Sequence, residues 1–199
     1  MTQPGFQPID KITHRAALVG RTIDKRALTP LAGVVVTITS GPLAWLARVA
    51  ALQEGQPAAR RDQKITDAGG FFRWLDLPAG AYTLSASLPG TRYAAATGSL
   101  TLVSTAVGTF ELQLAPTAVS GIVKAGSPAT PLAMARVRFA DSDDVGYTAA
   151  DGSYTLSPIE AGTNRALEVS AQNFINTTQT VTLSRGQTTT AVIITLTHS

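Results

Sequence analysis

Two blocks of sequence recur at one fixed offset, and this repeat constrains the fold more than any single motif. Leu18-Val19-Gly20-Arg21-Thr22-Ile23 is followed by Pro30-Leu31-Ala32-Gly33-Val34-Val35-Val36-Thr37-Ile38. Later, Val119-Ser120-Gly121-Ile122-Val123 is followed by Pro131-Leu132-Ala133-Met134-Ala135-Arg136-Val137-Arg138-Phe139. Gly20 to Gly121 and Pro30 to Pro131 are both 101 positions apart. A third block, Thr66-Asp67-Ala68-Gly69-Gly70-Phe71-Phe72-Arg73-Trp74, returns 82 positions on, where Gly152 answers Gly70. Phe110, Leu112 and Leu114 answer Val192, Ile194 and Leu196 at the same 82. The drop from 101 to 82 places 19 extra residues in the first copy, between Ile38 and Thr66. The chain therefore divides into an N-terminal arm (1–16), a first domain (17–116) with an insertion at about 41–62, and a second domain (117–199). Pro116 stands at a junction with almost no linker.

Each copy reads as β-sheet. Val34, Val36 and Ile38 alternate with Val35 and Thr37, and Val137 and Phe139 alternate with Arg136 and Arg138. A period of two puts apolar side chains on one face of a strand. Threonine occurs 27 times, and β-branched residues suit a half-exposed pleated surface. Gly69-Gly70 and Asp151-Gly152 lie between alternating runs and predict tight hairpins. Short strands at this spacing, in copies of this length, predict an all-β chain of two tandem sandwiches.

The order of these features resembles a known family. A strand with an internal glycine precedes Pro-Leu-Ala and an apolar strand. A Thr/Asp-Gly turn with two aromatics follows, and then Leu77-Pro78-Ala79-Gly80-Ala81-Tyr82-Thr83-Leu84. This is similar to the carboxypeptidase regulatory-like domain. In the second copy Ile159-Glu160 replaces the Leu-Pro pair, and Leu167 stands about where Tyr82 does. The resemblance implies seven-stranded Greek-key sandwiches of the transthyretin kind. It also implies a non-catalytic role, since members attach to peptidases, receptors and surface proteins or build larger assemblies.

The insertion is the best functional lead. Residues 43–54 hold no Gly or Pro and are rich in helix formers, with Pro42 placed for the first helical position. Trp45, Val49 and Leu52 share one helical face, and Leu43, Leu46 and Ala50 share the next. One reading packs this broad apolar arc on its own sandwich. The other gives part of it to a protein partner, with Trp45 as anchor and Leu46, Val49 and Leu52 around it. Phe6, in the arm, is a further candidate contact, since such arms add to neighbouring sheet edges. The closing strands Phe110–Leu114 and Val192–Leu196 are candidates for open edges.

Other chemistry finds little footing. Cysteine is absent and histidine occurs only at His14 and His198, so no catalytic residue, metal site or cofactor is expected. Asp141, Asp143 and Gly146 fit part of a calcium-loop spacing, but Val145 and Gly152 break it. Phe71, Phe72, Trp74 and Tyr82 suggest a sugar platform, or a core alternation with half of them buried. Net charge is +3 and spread out; Arg60, Arg61 and Lys64 form the one tight basic cluster, broken by Asp62. No nucleic-acid partner is expected from so diffuse a charge. No apolar leader and no membrane span occur, so the expected location is cytoplasmic, and the Asn176-Thr177-Thr178 sequon is expected to be idle.

The resemblance and the missing leader together point to a non-enzymatic accessory subunit of a large assembly, for example a phage-tail-like contractile injection particle. Its partners would be other protein subunits. The alternatives are a glycan or cell-surface binding module and a regulatory appendage of a separate enzyme.

Overall fold

The computed structural model describes residues 16–55, 60–104 and 106–198. The arm, with Phe6, lies outside them. The first sandwich comprises β1 (Ala16–Asp24), β2 (Val35–Ser40), β3 (Gln63–Ile65), β4 (Phe71–Leu75), β5 (Gly80–Ser87), β6 (Ala96–Leu102) and β7 (Gly108–Leu114). The single helix among the described residues, α1 (Leu43–Gly55), is inserted between β2 and β3. Sheets of order β4-β1-β7 and β3-β2-β5-β6 enclose a core centred on Leu18, Val36, Phe72, Tyr82, Leu84 and Leu114.

The second sandwich comprises β8 (Ala118–Ala125), β9 (Thr130–Pro131), β10 (Arg136–Phe139), β11 (Val145–Tyr147), β12 (Ser153–Leu156), β13 (Gly162–Ser170), β14 (Thr177–Leu183) and β15 (Thr188–Leu196). Its sheets run β12-β8-β15, with β9 beside β8, and β11-β10-β13-β14. A separate core forms around Val123, Val137, Phe139, Ile159, Leu167 and Leu196. The chain is thus all-β, two tandem sandwiches with one helical insertion. The short β9 has its counterpart in an isolated bridge, Ile23 to Pro30, in the first copy. Both closing strands, β7 and β15, lie at sheet edges.

The repeat is carried into the strand register. Gly20 faces Phe110 across β1 and β7, and Gly121 faces Val192 across β8 and β15. On the other side Gly20 faces Phe72, and Gly121 faces Tyr154. A Cβ on Gly20 would lie 2.0 Å from the Phe72 ring. On Gly121 it would lie 1.9 Å from the Val192 carbonyl oxygen and 2.8 Å from the Tyr154 hydroxyl. The internal glycine of each first strand is therefore the floor on which an aromatic side chain rests.

One expectation needs correction. The Gly69-Gly70 and Asp151-Gly152 turns do not close hairpins. β3 pairs with β2 while β4 pairs with β1, and β11 pairs with β10 while β12 pairs with β8. Each turn carries the chain from one sheet to the other. Local turn chemistry is satisfied in both cases: Gly70 N–H donates to the Asp67 carbonyl at 2.9 Å, and Gly152 N–H to the Ala149 carbonyl at 2.9 Å. Which sheet a strand joins is decided by remote partners. Here Thr22 N–H donates to the Gly70 carbonyl at 2.8 Å, and Val123 N–H to the Gly152 carbonyl at 2.9 Å.

A buried threonine completes each crossing. The Thr66 hydroxyl donates to the Leu31 carbonyl at 2.8 Å and accepts from Val34 N–H at 3.0 Å. Thr148 repeats this with the Leu132 carbonyl at 2.6 Å and Ala135 N–H at 2.9 Å. The Pro-Leu-Ala block and the turn block, separate in sequence, thus meet in space. One left-handed backbone position carries different residues in the two copies. Gly33 has φ +72°, and its equivalent Met134 has φ +59° with its side chain exposed.

Two stability outcomes follow. Gly121→Ala forces the β8–β15 pair apart and lowers unfolding free energy by about 3 kcal/mol or more, because the obstacle is a backbone carbonyl rather than a movable side chain. Met134→Gly removes left-handed strain of about 1–2 kcal/mol, offset by about 0.5–1 kcal/mol of glycine chain entropy. Its net effect is a small gain, read as a higher denaturant midpoint with an unchanged slope.

Candidate functional site

The inserted helix starts where Pro42 accepts from Leu46 N–H at 3.1 Å. Pro42 therefore caps the helix from just outside it, one place earlier than its expected first-turn position. The helix lies on the first sandwich through one face. Trp45 meets Tyr82 edge-on, with centroids 6.1 Å apart at 75°. Val49 is buried, and Trp45 and Leu46 are half-buried. Tyr82 is itself fixed, its hydroxyl donating to the Pro78 carbonyl at 2.8 Å. Burial in this apolar site pushes its phenol pKa up. The far end is tied by Gln53, whose amide donates to Asp62 at 2.7 Å. Arg60 pairs with the same carboxylate at 2.8 Å and holds it below the usual aspartate range.

One face of the helix packs on its own sandwich. Trp45 and Val49 pack on the host, while Leu43 is 85% exposed and Leu52 is 39% exposed. Two clefts flank the packed seam. One, of about 600 Å³, lies toward the β6–β7 connection and is lined by Trp45, Arg48, Leu77, Pro78, Val103 and Val107, among others. The other, of about 370 Å³, lies toward β3 and β4 and includes Trp45, Arg48, Leu52, Arg61, Lys64 and Trp74.

The aromatic platform is not assembled. Phe72, Trp74 and Tyr82 are core residues, and only Phe71 faces out, with Arg21 stacked 5.4 Å from its ring centroid. In the Asp141–Gly146 loop, Asp141 and Asp144 are spent on guanidinium groups. Asp141 takes two hydrogen bonds from buried Arg165, which hold its pKa low, and Arg165 also covers the Phe139 ring at 4.2 Å. Among the described residues no cluster of three or more metal-ligating side chains occurs, and no helix is long and apolar enough to cross a membrane.

Sequence reasoning missed a second constellation, at the junction of the sandwiches. The β5–β6 connection of the first domain inserts Thr91 and Arg92 between loops of the second. Arg92 forks onto Asp144 at 2.9 and 3.2 Å, reaches Glu160 at 3.1 Å and donates to the Pro158 carbonyl at 2.6 Å. The Thr91 N–H and hydroxyl both donate to Glu160, and chiefly for that reason its carboxyl pKa falls below the ordinary glutamate range. Arg165 donates to the Glu160 carbonyl, so the Asp141–Arg165 pair props the same loop. From the other side Arg185 donates to the Tyr93 and Leu88 carbonyls. Fully buried Thr117 stitches the centre. Its N–H donates to the Arg92 carbonyl at 2.7 Å, its hydroxyl to the Thr91 carbonyl at 3.0 Å, and it accepts from Gly186 N–H at 2.8 Å. Tyr93 anchors the loop in the first domain through a hydrogen bond to buried Asp24 at 2.9 Å. Pro116 and the short junction were the only signals of this interface in the sequence.

No protein-family model matches the chain, and no curated protein matches it. Solved structures do. The shaft pilin SpaA from Lactobacillus rhamnosus GG aligns with 94% of this chain and 98% of its own, at 12% identity and TM-score 0.43. The Bacillus anthracis TIE protein aligns with 92% of this chain at 12% identity and TM-score 0.41, and a streptococcal ancillary pilin with 92% at 16% identity and TM-score 0.37. The chain spans 34% of the TIE chain and 62% of the ancillary pilin chain. This likeness is of sandwich architecture in general. The cytoplasmic placement is withdrawn. That placement rested on a missing leader, and an absence within a stretch of sequence identifies no compartment.

Trp45 therefore supports the fold as well as any partner. Trp45→Ala lowers stability by roughly 2–3 kcal/mol, as expected for a large, half-buried aromatic. Leu43→Ala stays within about 0.5 kcal/mol of the parent, as exposed positions do. Paired denaturant titrations check both values.

Proposed function

We propose that the chain is a rigid two-domain spacer of an extended, cell-surface type of assembly, joined to other protein subunits through the α1 end of its first sandwich. The observation that carries this reading is the junction. A connection between two independent domains needs no forked arginine, buried threonine or second arginine from the opposite side. Together these make relative motion expensive, which a spacer requires and a flexible tether does not. The partner-contact residues in this reading are exposed Leu52 and the outer sides of half-buried Trp45 and Leu46, seated on buried Val49, with Phe6 of the arm as a further contact. Membership of the carboxypeptidase regulatory-like family is part of the same proposal and rests on the quoted motifs. Neither the junction nor the clefts favour a contractile injection particle over other assemblies.

The test is an inter-domain distance. The chain has no cysteine, so Ile65→Cys and Ile175→Cys, both exposed in the parent, accept one spin label on each sandwich. A single narrow distance distribution is expected. Arg92→Ala with Arg185→Ala should broaden it while each sandwich keeps its cooperative unfolding. A broad distribution in the parent overturns the spacer reading.

Acid acts on the same junction. The Glu160 pKa is lowered in the folded state, so its contribution is present above the unfolded glutamate value and is lost as pH falls through the folded value. The label distribution should stay narrow at neutral pH and broaden only below the ordinary carboxylate range. Glu160→Gln should broaden it at neutral pH.

A further inference from the structure

We infer that the cleft between α1 and the β3–β4 side of the first sandwich is a docking site for an acidic segment of a partner protein that carries an apolar anchor residue. This rests on the partner-binding reading of α1 and names the chemistry that reading leaves open. The floor is apolar, with Trp45, Val49, Trp74 and Leu77 lining it. The rim is cationic, with Arg48, Arg61 and Lys64 on it, all exposed. Among the described residues none of these three forms an ion pair. Two acids on or beside the rim, Asp62 and Asp76, are already engaged. Asp62 holds Arg60 and Gln53, and Asp76, the one carboxylate of the rim, has a partner of its own. Three uncompensated cations around an apolar floor favour an anionic occupant.

The rim is also held in place. The Trp74 indole N–H donates to the Arg61 carbonyl at 3.1 Å, and Ile38 N–H donates to the Asp62 carbonyl at 2.9 Å, so the backbone beneath the cations is fixed. β3 and β4 each end their sheets here, leaving strand edges beside the cleft that suit an extended peptide. Leu52 and Leu75 add exposed apolar surface at its margin. Charge argues against occupants from this chain. Residues 1–15 hold Asp10 against Lys11 and Arg15, and a second copy carries the same net +3. The basic cluster seen in the sequence is thus joined by Arg48, which the fold brings from another element.

The chain supplies its own probe, since Trp45 and Trp74 are its only tryptophans and both line the cleft. Titration with a blocked peptide of alternating Leu and Glu should shift tryptophan emission saturably, with affinity falling as salt rises. The matching Leu-Lys peptide should give no saturable change. Arg61→Glu with Lys64→Glu should weaken the Leu-Glu peptide at least tenfold while the melting temperature holds, because both side chains are exposed. Equal binding of the two peptides, unchanged binding by the double variant, no saturation at millimolar peptide, or tighter binding of a thymidine oligonucleotide would each overturn the inference. The spacer reading is unaffected by these outcomes, since the spin-label distances do not involve the cleft.

Discussion

The crossing between sheets is the contact on which each sandwich depends. At Gly70 and Gly152 the backbone takes φ +75° and +74°, and a Cβ there would lie 2.5 Å from the carbonyl of Thr22 or Val123. Only glycine lets the turn approach the first strand so closely. That approach sets the two hydrogen bonds that join the turn to β1 or β8, and the buried threonine then ties the same place to the Pro-Leu-Ala segment. With one point of each sheet fixed against the other, the alternating residues of all remaining strands have only one side on which to be buried. The insertion lies between Ile38 and this crossing, on the β2–β3 connection. The chain thus carries a helix and two clefts without disturbing the frame.

A second set of interactions turns two frames into one body. Its members are charged and partly exposed, so each pair alone would contribute little. Their arrangement matters more than their number. Arg92 satisfies two carboxylates and a carbonyl from two separate loops, and Thr117 uses its N–H and its hydroxyl at the point where the chain passes between domains. Tyr93 holds the inserted loop to the first domain, burial and the neighbouring Asp24 carboxylate pushing its phenol pKa well up. Rotation of one sandwich on the other would break several of these bonds at once.

How far the sequence foretold this differs from element to element. The repeat offsets map onto the strand register, because a duplicated strand keeps its partners: Gly20 with Phe110 and Gly121 with Val192. The helix over 43–54 was legible from composition alone, being the only long stretch of helix formers without β alternation. The hairpins were misread, since a turn signal says where a chain bends and nothing about which sheet receives it. The aromatic row was legible only in part. Trp74 and Phe72 alternate as expected, but Tyr82 sits on another strand, and its burial depends on Trp45 from the insertion. The junction was not legible. Arg92 meets residues 52 to 68 positions away, Arg185 meets one 92 away, and the repeat offers no arginine at equivalent places to draw notice. The basic cleft was half visible, since Arg60, Arg61 and Lys64 cluster in sequence while Arg48 joins them only through the fold.

The first and last strands of each sandwich run side by side in the same direction, β1 with β7 and β8 with β15. The chain therefore enters each unit at one end and leaves it at the other. A unit of this kind can be duplicated without the chain having to turn back, and every added copy lengthens the molecule by one strand, about 3.3 Å for each residue. Growth by tandem copying is in this sense a property of the strand directions, whatever the copies carry on their loops.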